Sequence, residues 1–367
     1  MISICFISCY FNHHQKPVCD VLYKITNGHF NFVATEKVSE WRKKFGYKEI
    51  TSDYVIDCDT DEKKDYVKEI IQQADVVVTD AEDLSLTRQR LSEGKLTFRF
   101  CERLFKSKLR YLKAPLHIIK ALKTKEMYLL CNSAYTAGDF KKMGFFGGKS
   151  FKWGYFPEVR YYEPNICSMK GQSCVSILWA GRLIDWKHPE YALYAAKYLK
   201  NLSVPFTMNI IGSGKLLNKM EKYIHDYNLE SSVNLLGSMS PENVREYMEN
   251  SDVFLFTSDR SEGWGVVLNE AMNSGCAIIA NRSIGSVPYL IKDGVSGLTY
   301  QSRSQFIENV VKVAMDSGLR TKLQKEAYNT IINTWNAENA AKQLVELSMA
   351  LLDGKQIKIA DGPCSQA

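Results

Sequence analysis

The chain has 367 residues, 45% hydrophobic and 24% charged, with a formal net charge of +6. That composition excludes a disordered or low-complexity protein, and the length is too great for one compact core and suits two. No apolar run approaches the ~20 residues that span a bilayer. The opening stretch 1–11 has no basic flank or small-residue cleavage site, so it is read as a buried first strand and not a signal peptide.

In the first half, short β-branched and aromatic runs predict strands at 2–8, 30–34, 54–57, 75–79, 96–100 and 127–131, with helical spacing at 62–74 and 84–92. Residues 88–125 carry 12 Lys and Arg but only Glu93 and Glu102 as acids, interleaved with apolar residues. Such a stretch suits an anionic membrane surface or a phosphate-bearing partner; a solvated helix over a sheet is the other reading. Nucleic acid is disfavoured, because no binding motif surrounds the patch and residues 166–367 balance 20 bases against 20 acids.

The second half predicts strands at 175–180, 206–211, 233–236, 253–257 and 277–280, separated by helices at 189–199, 215–227, 241–250 and 265–274. Near-continuous apolar strands with helical crossovers mean parallel sheets covered on both faces. The expectation is an α/β chain of two Rossmann-like domains facing across a cleft, residues 1–165 and 166–335. A terminal helix at 336–353 would pack back toward the first domain, and 354–367 would form a loose tail. The ten cysteines form no CxxC pair and lie in apolar segments (Cys5, Cys9, Cys58, Cys101, Cys131, Cys276), which reads as free thiols in a reducing cytosol.

Ligands of open α/β sheets bind beyond the carboxyl ends of the strands, and four segments stand there in the second half. After strand 175–180, Arg182 and Lys187 place two cations in one loop, as a diphosphate requires; two surface cations are the other reading. Gly212 and Gly214 follow strand 206–211; their amides could approach a phosphate or ribose, or simply make a turn. Gly237 and Met239 offer exposed backbone for a base edge, or a helix start capped by Ser240. Glu262 and Glu270 lie eight residues apart around Gly263-Trp264-Gly265. With a helix from 265, the carboxylates would span roughly 10 Å at ~1.5 Å per residue.

The motifs Gly181-Arg182-Leu183 with Lys187, Ile211–Gly214, Ser251–Ser258, Glu262–Glu270 and Gly285–Leu298 together resemble a retaining family-4 glycosyltransferase of the GT-B fold. The resemblance covers about 175–316 and implies a nucleotide-sugar donor, with a UDP-sugar favoured over a GDP-sugar. Arg182 and Lys187 would hold the diphosphate and Glu270 the ribose, while Glu262 and the Gly263-Trp264-Gly265 backbone would meet the transferred sugar. Trp264 stands where such enzymes often have Phe, a departure expected to adjust the sugar pocket. The loop Tyr10–Pro17 resembles the Asn-His-His-Gln-x-Pro opening of bacterial enzymes that build capsule, O-antigen or exopolysaccharide. It would put His13 and His14 at the cleft, a loop histidine packed against its neighbour being the other reading of each. Glu102 is a candidate to polarise the acceptor hydroxyl or, equally, to pair with Arg99 or Arg103.

Asp57-Cys58-Asp59 has metal-ligand spacing but follows a first-domain strand, so no metal or other cofactor is expected. The acceptor implied is a lipid-linked glycan or oligosaccharide, and the location is cytoplasmic, peripheral at the inner leaflet through 88–125. A sugar-nucleotide epimerase and a non-catalytic scaffold remain the alternatives; a NAD enzyme is disfavoured because neither half has GxGxxG after its first strand.

Overall fold

A computed structural model describes residues 1–38, 50–58, 61–80, 85–104, 127–162, 174–356 and 358–367. The chain divides into two compact units, Met1–Glu158 with Thr334–Ala367, and Val159–Asn333. The first boundary therefore falls ahead of the expected 165.

Among its described residues, the first unit has the parallel strands β1 (Ile4–Ser8), β2 (Phe30–Ala34), β3 (Val55–Asp57), β4 (Val76–Thr79), β5 (Thr97–Cys101), β6 (Met127–Cys131) and β7 (Ser150–Lys152), in the order β3-β2-β1-β4-β5-β6-β7. Strand β1 is buried along its whole length, and Ile4 aligns with Phe30 on one side and Val76 on the other. Helices α1 (Lys16–Ile25), α2 (Asp61–Gln73), α3 (Arg88–Ser92) and α4 (Thr136–Lys142) connect the strands. Sequence spacing alone does not mark α1, α4 or β7. Helix α1 starts where the Asn12 side chain accepts the His14 and Gln15 amides at 2.9 and 3.2 Å, with Pro17 in its first turn.

The second unit has β8 (Val175–Ala180), β9 (Phe206–Ile211), β10 (Val233–Leu235), β11 (Val253–Phe256), β12 (Ala277–Asn281) and β13 (Leu298–Tyr300) in the order β10-β9-β8-β11-β12-β13, all parallel. Helices α5 (Glu190–Asn201), α6 (Leu217–Asp226), α7 (Pro241–Glu249), α8 (Val267–Asn273), α9 (Val287–Leu290), α10 (Arg303–Met315) and α11 (Ser317–Asn333) cover the sheet. One core joins Ile177, Met208, Ile210, Leu255 and Ile279 of the strands to Leu193 and Ala196 of α5 and to Phe306 of α10. Ser240 caps α7 by accepting the Asn243 amide at 3.2 Å.

The last helix, α12 (Ala337–Leu352), packs on α1 in the first unit. The segment beyond it is not loose. Lys152 donates its amide to Ser365 O at 2.8 Å, Cys364 donates to Lys152 O at 2.7 Å, and Ala367 donates to Ser150 O at 3.0 Å. Cys364 is 1% exposed. The final residues satisfy the open edge of β7 through backbone groups, which a polar composition does not advertise.

Of the basic stretch 88–125, residues 105–125 lie outside the described residues. Several of the described bases turn inward rather than toward a surface. Arg90 is fully buried and donates to the carbonyls of Ile71, Ala74, Asp75 and Leu96. Arg99 is buried, and Arg103 lies 4.7 Å from the Tyr135 ring centre. Every described cysteine is a free thiol, and burial pushes Cys5 up to about 12. Among the described residues, no helix is long and apolar enough to cross a membrane.

Candidate functional site

The loop leaving β8 turns at Gly181 and places Arg182 and Lys187 around one indole. The Arg182 guanidinium is exposed and 5.4 Å from the Trp186 ring centre, and Lys187 Nζ approaches the same ring at 4.6 Å. Lys187, with a side chain 15% exposed, donates to Glu262, itself 12% exposed, although the two are far apart in sequence. Ser258 donates its hydroxyl to the same Glu262 oxygen at 2.9 Å. A largely desolvated ion pair with a second donor holds its geometry better than a surface pair would.

What brings Lys187 and Glu262 together is a set of side-chain and main-chain anchors. Trp179 of β8 donates its indole N–H to Thr257 Oγ at 2.7 Å, and that hydroxyl donates to the Lys187 carbonyl at 2.7 Å. The Asp259 amide donates to Trp186 O at 2.9 Å. The loop after β9 is locked to the same segment. Gly181 donates to Ile211 O at 3.0 Å and Leu183 to Ser213 O at 2.8 Å. Gly212 sits at φ +139°, and a Cβ there would fall 1.8 Å from Gly181 O. This glycine is therefore required by backbone packing. Its N–H is bonded to Gly237 O at 2.8 Å, so the expectation that it meets a phosphate is corrected. Gly214 lies against the Leu183 carbonyl, and half-buried Met239 follows Ser238, which donates to Ser213 Oγ at 2.8 Å.

Helix α8 begins at Val267, two residues later than expected, with Glu270 in its first turn. Gly265 holds φ +79°, where a Cβ would lie 2.3 Å from the Phe256 ring. Gly263 is buried. Trp264 is 1% exposed; its N–H donates to Asn269 Oδ1 at 2.8 Å and its carbonyl accepts from Ser286 at 2.5 Å. The indole therefore anchors the loop in the core. Glu270 is half-buried, with no hydrogen-bond partner for its carboxylate among the described residues. Burial raises its pKa, opposed by the charges of Arg245 and Arg160.

Residues not singled out from the sequence join this site. Ser258 shares Glu262. His188, in a left-handed conformation at φ 50°, bonds Glu190 at 2.9 Å and lies 3.7 Å from Asp259. The Glu190 hydrogen bond holds the His188 imidazole above its ordinary range. The signal for both lies in their positions beside Lys187 and at the end of β11.

The other candidates belong to the first unit. The His13 and His14 rings lie 3.8 Å apart between centres, tilted by 50°, ahead of α1. Burial, and then the His13 charge, push His14 down to about 3, so it is neutral near pH 7. Beside it, Gln15 donates to Ser8 Oγ at 3.3 Å, and Ser8 donates to Asp80 Oδ2 at 2.6 Å. Asp80 follows β4, and its Oδ1 is buried without a hydrogen bond; burial lifts the carboxyl to about 6. Glu102 is half-buried after β5, and its charge and that of Asp80 add to burial in raising the Tyr155 hydroxyl. His14, Gln15, Phe100, Trp153 and Tyr155 line a cavity of about 20 Å³, room for one water. Asp80 and Tyr155 carry no motif in the sequence. Of the Asp57-Cys58-Asp59 triplet, Asp59 lies outside the described residues.

Residues 175–330 match the family described as Glycosyl transferases group 1. The amylovoran biosynthesis glycosyltransferase AmsK of Erwinia amylovora is 34% identical over 126 residues, 33% of this chain and 31% of AmsK. This chain spans less than half the length of the curated relatives it matches. Among solved structures, Anabaena Alr3699/HepE in complex with UDP and glucose superposes with a TM-score of 0.65 at 13% identity, over 95% of this chain and 100% of that one. WaaG, a glycosyltransferase involved in lipopolysaccharide biosynthesis, gives 0.62 at 16% identity, over 95% and 99%. The fold is thus that of the GT-B proteins, two Rossmann-like units built on parallel sheets.

Proposed function

We propose that this chain, whose residues 175–330 carry a glycosyltransferase group 1 domain, is a retaining family-4 glycosyltransferase of bacterial surface-polysaccharide synthesis. It moves a sugar from a nucleotide donor, a UDP-sugar in preference to a GDP-sugar, to a hydroxyl of a lipid-linked glycan. The observation that carries this reading is the Lys187–Glu262 pair beside Arg182, with Glu270 following in the first turn of α8.

Arg182 and Lys187 face the diphosphate, and their fixed charges meet the negative charge that develops as the nucleotide leaves; on this reading no metal is needed for that task. Glu270, whose carboxylate has no other hydrogen-bond partner among the described residues, accepts from the ribose hydroxyls. Glu262 and the 263–265 backbone meet the sugar. The bond from the anomeric carbon to the phosphate oxygen breaks, and the acceptor oxygen bonds that carbon on the same face. The acceptor proton passes to the departing phosphate, which gives retention without a covalent enzyme intermediate. His13, His14 and Glu102 belong to the acceptor side, and docking on an anionic inner leaflet rests on the basic composition of 88–125. Two carboxylates alone would suit a hydrolase, but that reading leaves both cations without a task.

A thermal-shift panel of nucleoside diphosphates and nucleotide-sugars tests this. UDP at 100 times its Kd should add about 2.7 kcal/mol of stability. Failure of every nucleotide to raise the melting temperature removes the proposal.

A further inference from the structure

Glu270 shares its helix with one member of a connected group of side chains that no motif marks. One turn later on the same face of α8, Asn273 is 1% exposed and bonded on both sides. Its Oδ1 accepts the Arg160 amide at 2.8 Å and the Arg245 guanidinium, and its Nδ2 donates to Arg160 O at 3.0 Å. Arg160 reaches Glu249 at 2.7 Å, and the Tyr162 hydroxyl donates to the same Glu249 oxygen. Arg245 is 6% exposed, yet its Nε has no hydrogen bond and Glu249 lies 3.9 Å away. A buried guanidinium with so distant a carboxylate is incompletely compensated. Glu270 is the other carboxylate on which Arg245 and Arg160 act.

We propose that Asn273, Arg245 and Arg160 form a positioning platform for the Glu270 carboxylate, tying the chain segment that enters the second unit to the helix that presents this group to the ribose. The inference rests on the ribose reading of Glu270 given above. The platform works in two ways. Asn273 fixes the pitch of α8 against 159–162, and the guanidinium charges oppose the desolvation of Glu270, so the acceptor is ready before nucleotide arrives. Arg245 and Arg160 are positioning residues and touch no substrate.

Calorimetric titration of UDP and of 2′,3′-dideoxy-UDP separates the possibilities, because the analogue lacks the hydroxyls that Glu270 would bind. Wild type should prefer UDP by about tenfold or more, the worth of a charged hydrogen bond. Arg245→Met should lose most of that preference while its affinity for the dideoxy compound is unchanged, and Arg245→Lys should recover part of it. Arg160→Gln alters a partly exposed side chain, so folding is not at risk, and should shift the preference in the same direction by less. Equal weakening of both ligands, or an unchanged preference in Arg245→Met and Arg160→Gln, would overturn the platform while leaving the ribose reading intact. A wild-type chain that binds both ligands equally well would remove both.

Discussion

Lys187 and Glu262, which stand on separate loops after β8 and β11, hold each other in a largely buried ion pair. The pair joins the two loops into one electrostatic unit. On the proposed function, a ligand phosphate arriving at Lys187 would share or displace Glu262. Ser258 donates to the same Glu262 oxygen and holds the carboxylate independently of the lysine.

Lys187→Ala should therefore lower turnover on the order of 10²-fold. It should also destabilise the fold by about 1–3 kcal/mol, because Glu262 is left buried with one donor. Adding Glu262→Ala should recover part of that stability but none of the turnover. Melting curves of the single and double variants measure this coupling, and simple additivity would count against it.

Gly265 offers a sharper structural test. Gly265→Ala forces a Cβ into the Phe256 ring at positive φ, a loss of about 2–4 kcal/mol from combined overpacking and strain. Gly237 also has positive φ but open space around it, so Gly237→Ala should cost only about 1 kcal/mol. Denaturant midpoints should rank the two in that order, and Phe256→Leu should partly rescue Gly265→Ala.

Asp80 and His14 oppose each other in their pH effects. Asp80, raised to about 6 by burial, binds more protons when folded, so its contribution to stability is lost as pH rises from about 4 to 6. His14, lowered to about 3, binds fewer protons when folded, so stability rises with pH between about 3 and 6.5. Asp80→Asn should steepen acid unfolding, and His14→Gln should flatten or reverse it. Unfolding free energies between pH 4 and 7 give both slopes.

The final residues can be removed. Deleting 358–367 exposes the edge of β7 and the site of Cys364, and should lower the melting temperature by several degrees. A tail without structural work would leave the melt unchanged.

Much of this architecture is legible in the chain itself. Runs such as Val76–Thr79 and Val253–Phe256 can only be strands buried on both faces, because every side chain is apolar or small. The order of Arg182, Lys187, Glu262 and Glu270 along the chain likewise points to an anionic ligand at the strand ends. Local pattern could not reveal which groups are already committed. The Gly212 amide is taken by Gly237, the Trp264 indole is inside the core, and Arg90, a basic residue by composition, is a buried donor to four carbonyls. Nor could spacing show that Asp80 meets Ser8, or that Asn273 joins Arg245 to Arg160. Sequence periodicity sets which face is buried, because burial follows side-chain polarity residue by residue. Pairing between distant polar atoms depends on strand order and loop closure, and so is decided only when the chain folds.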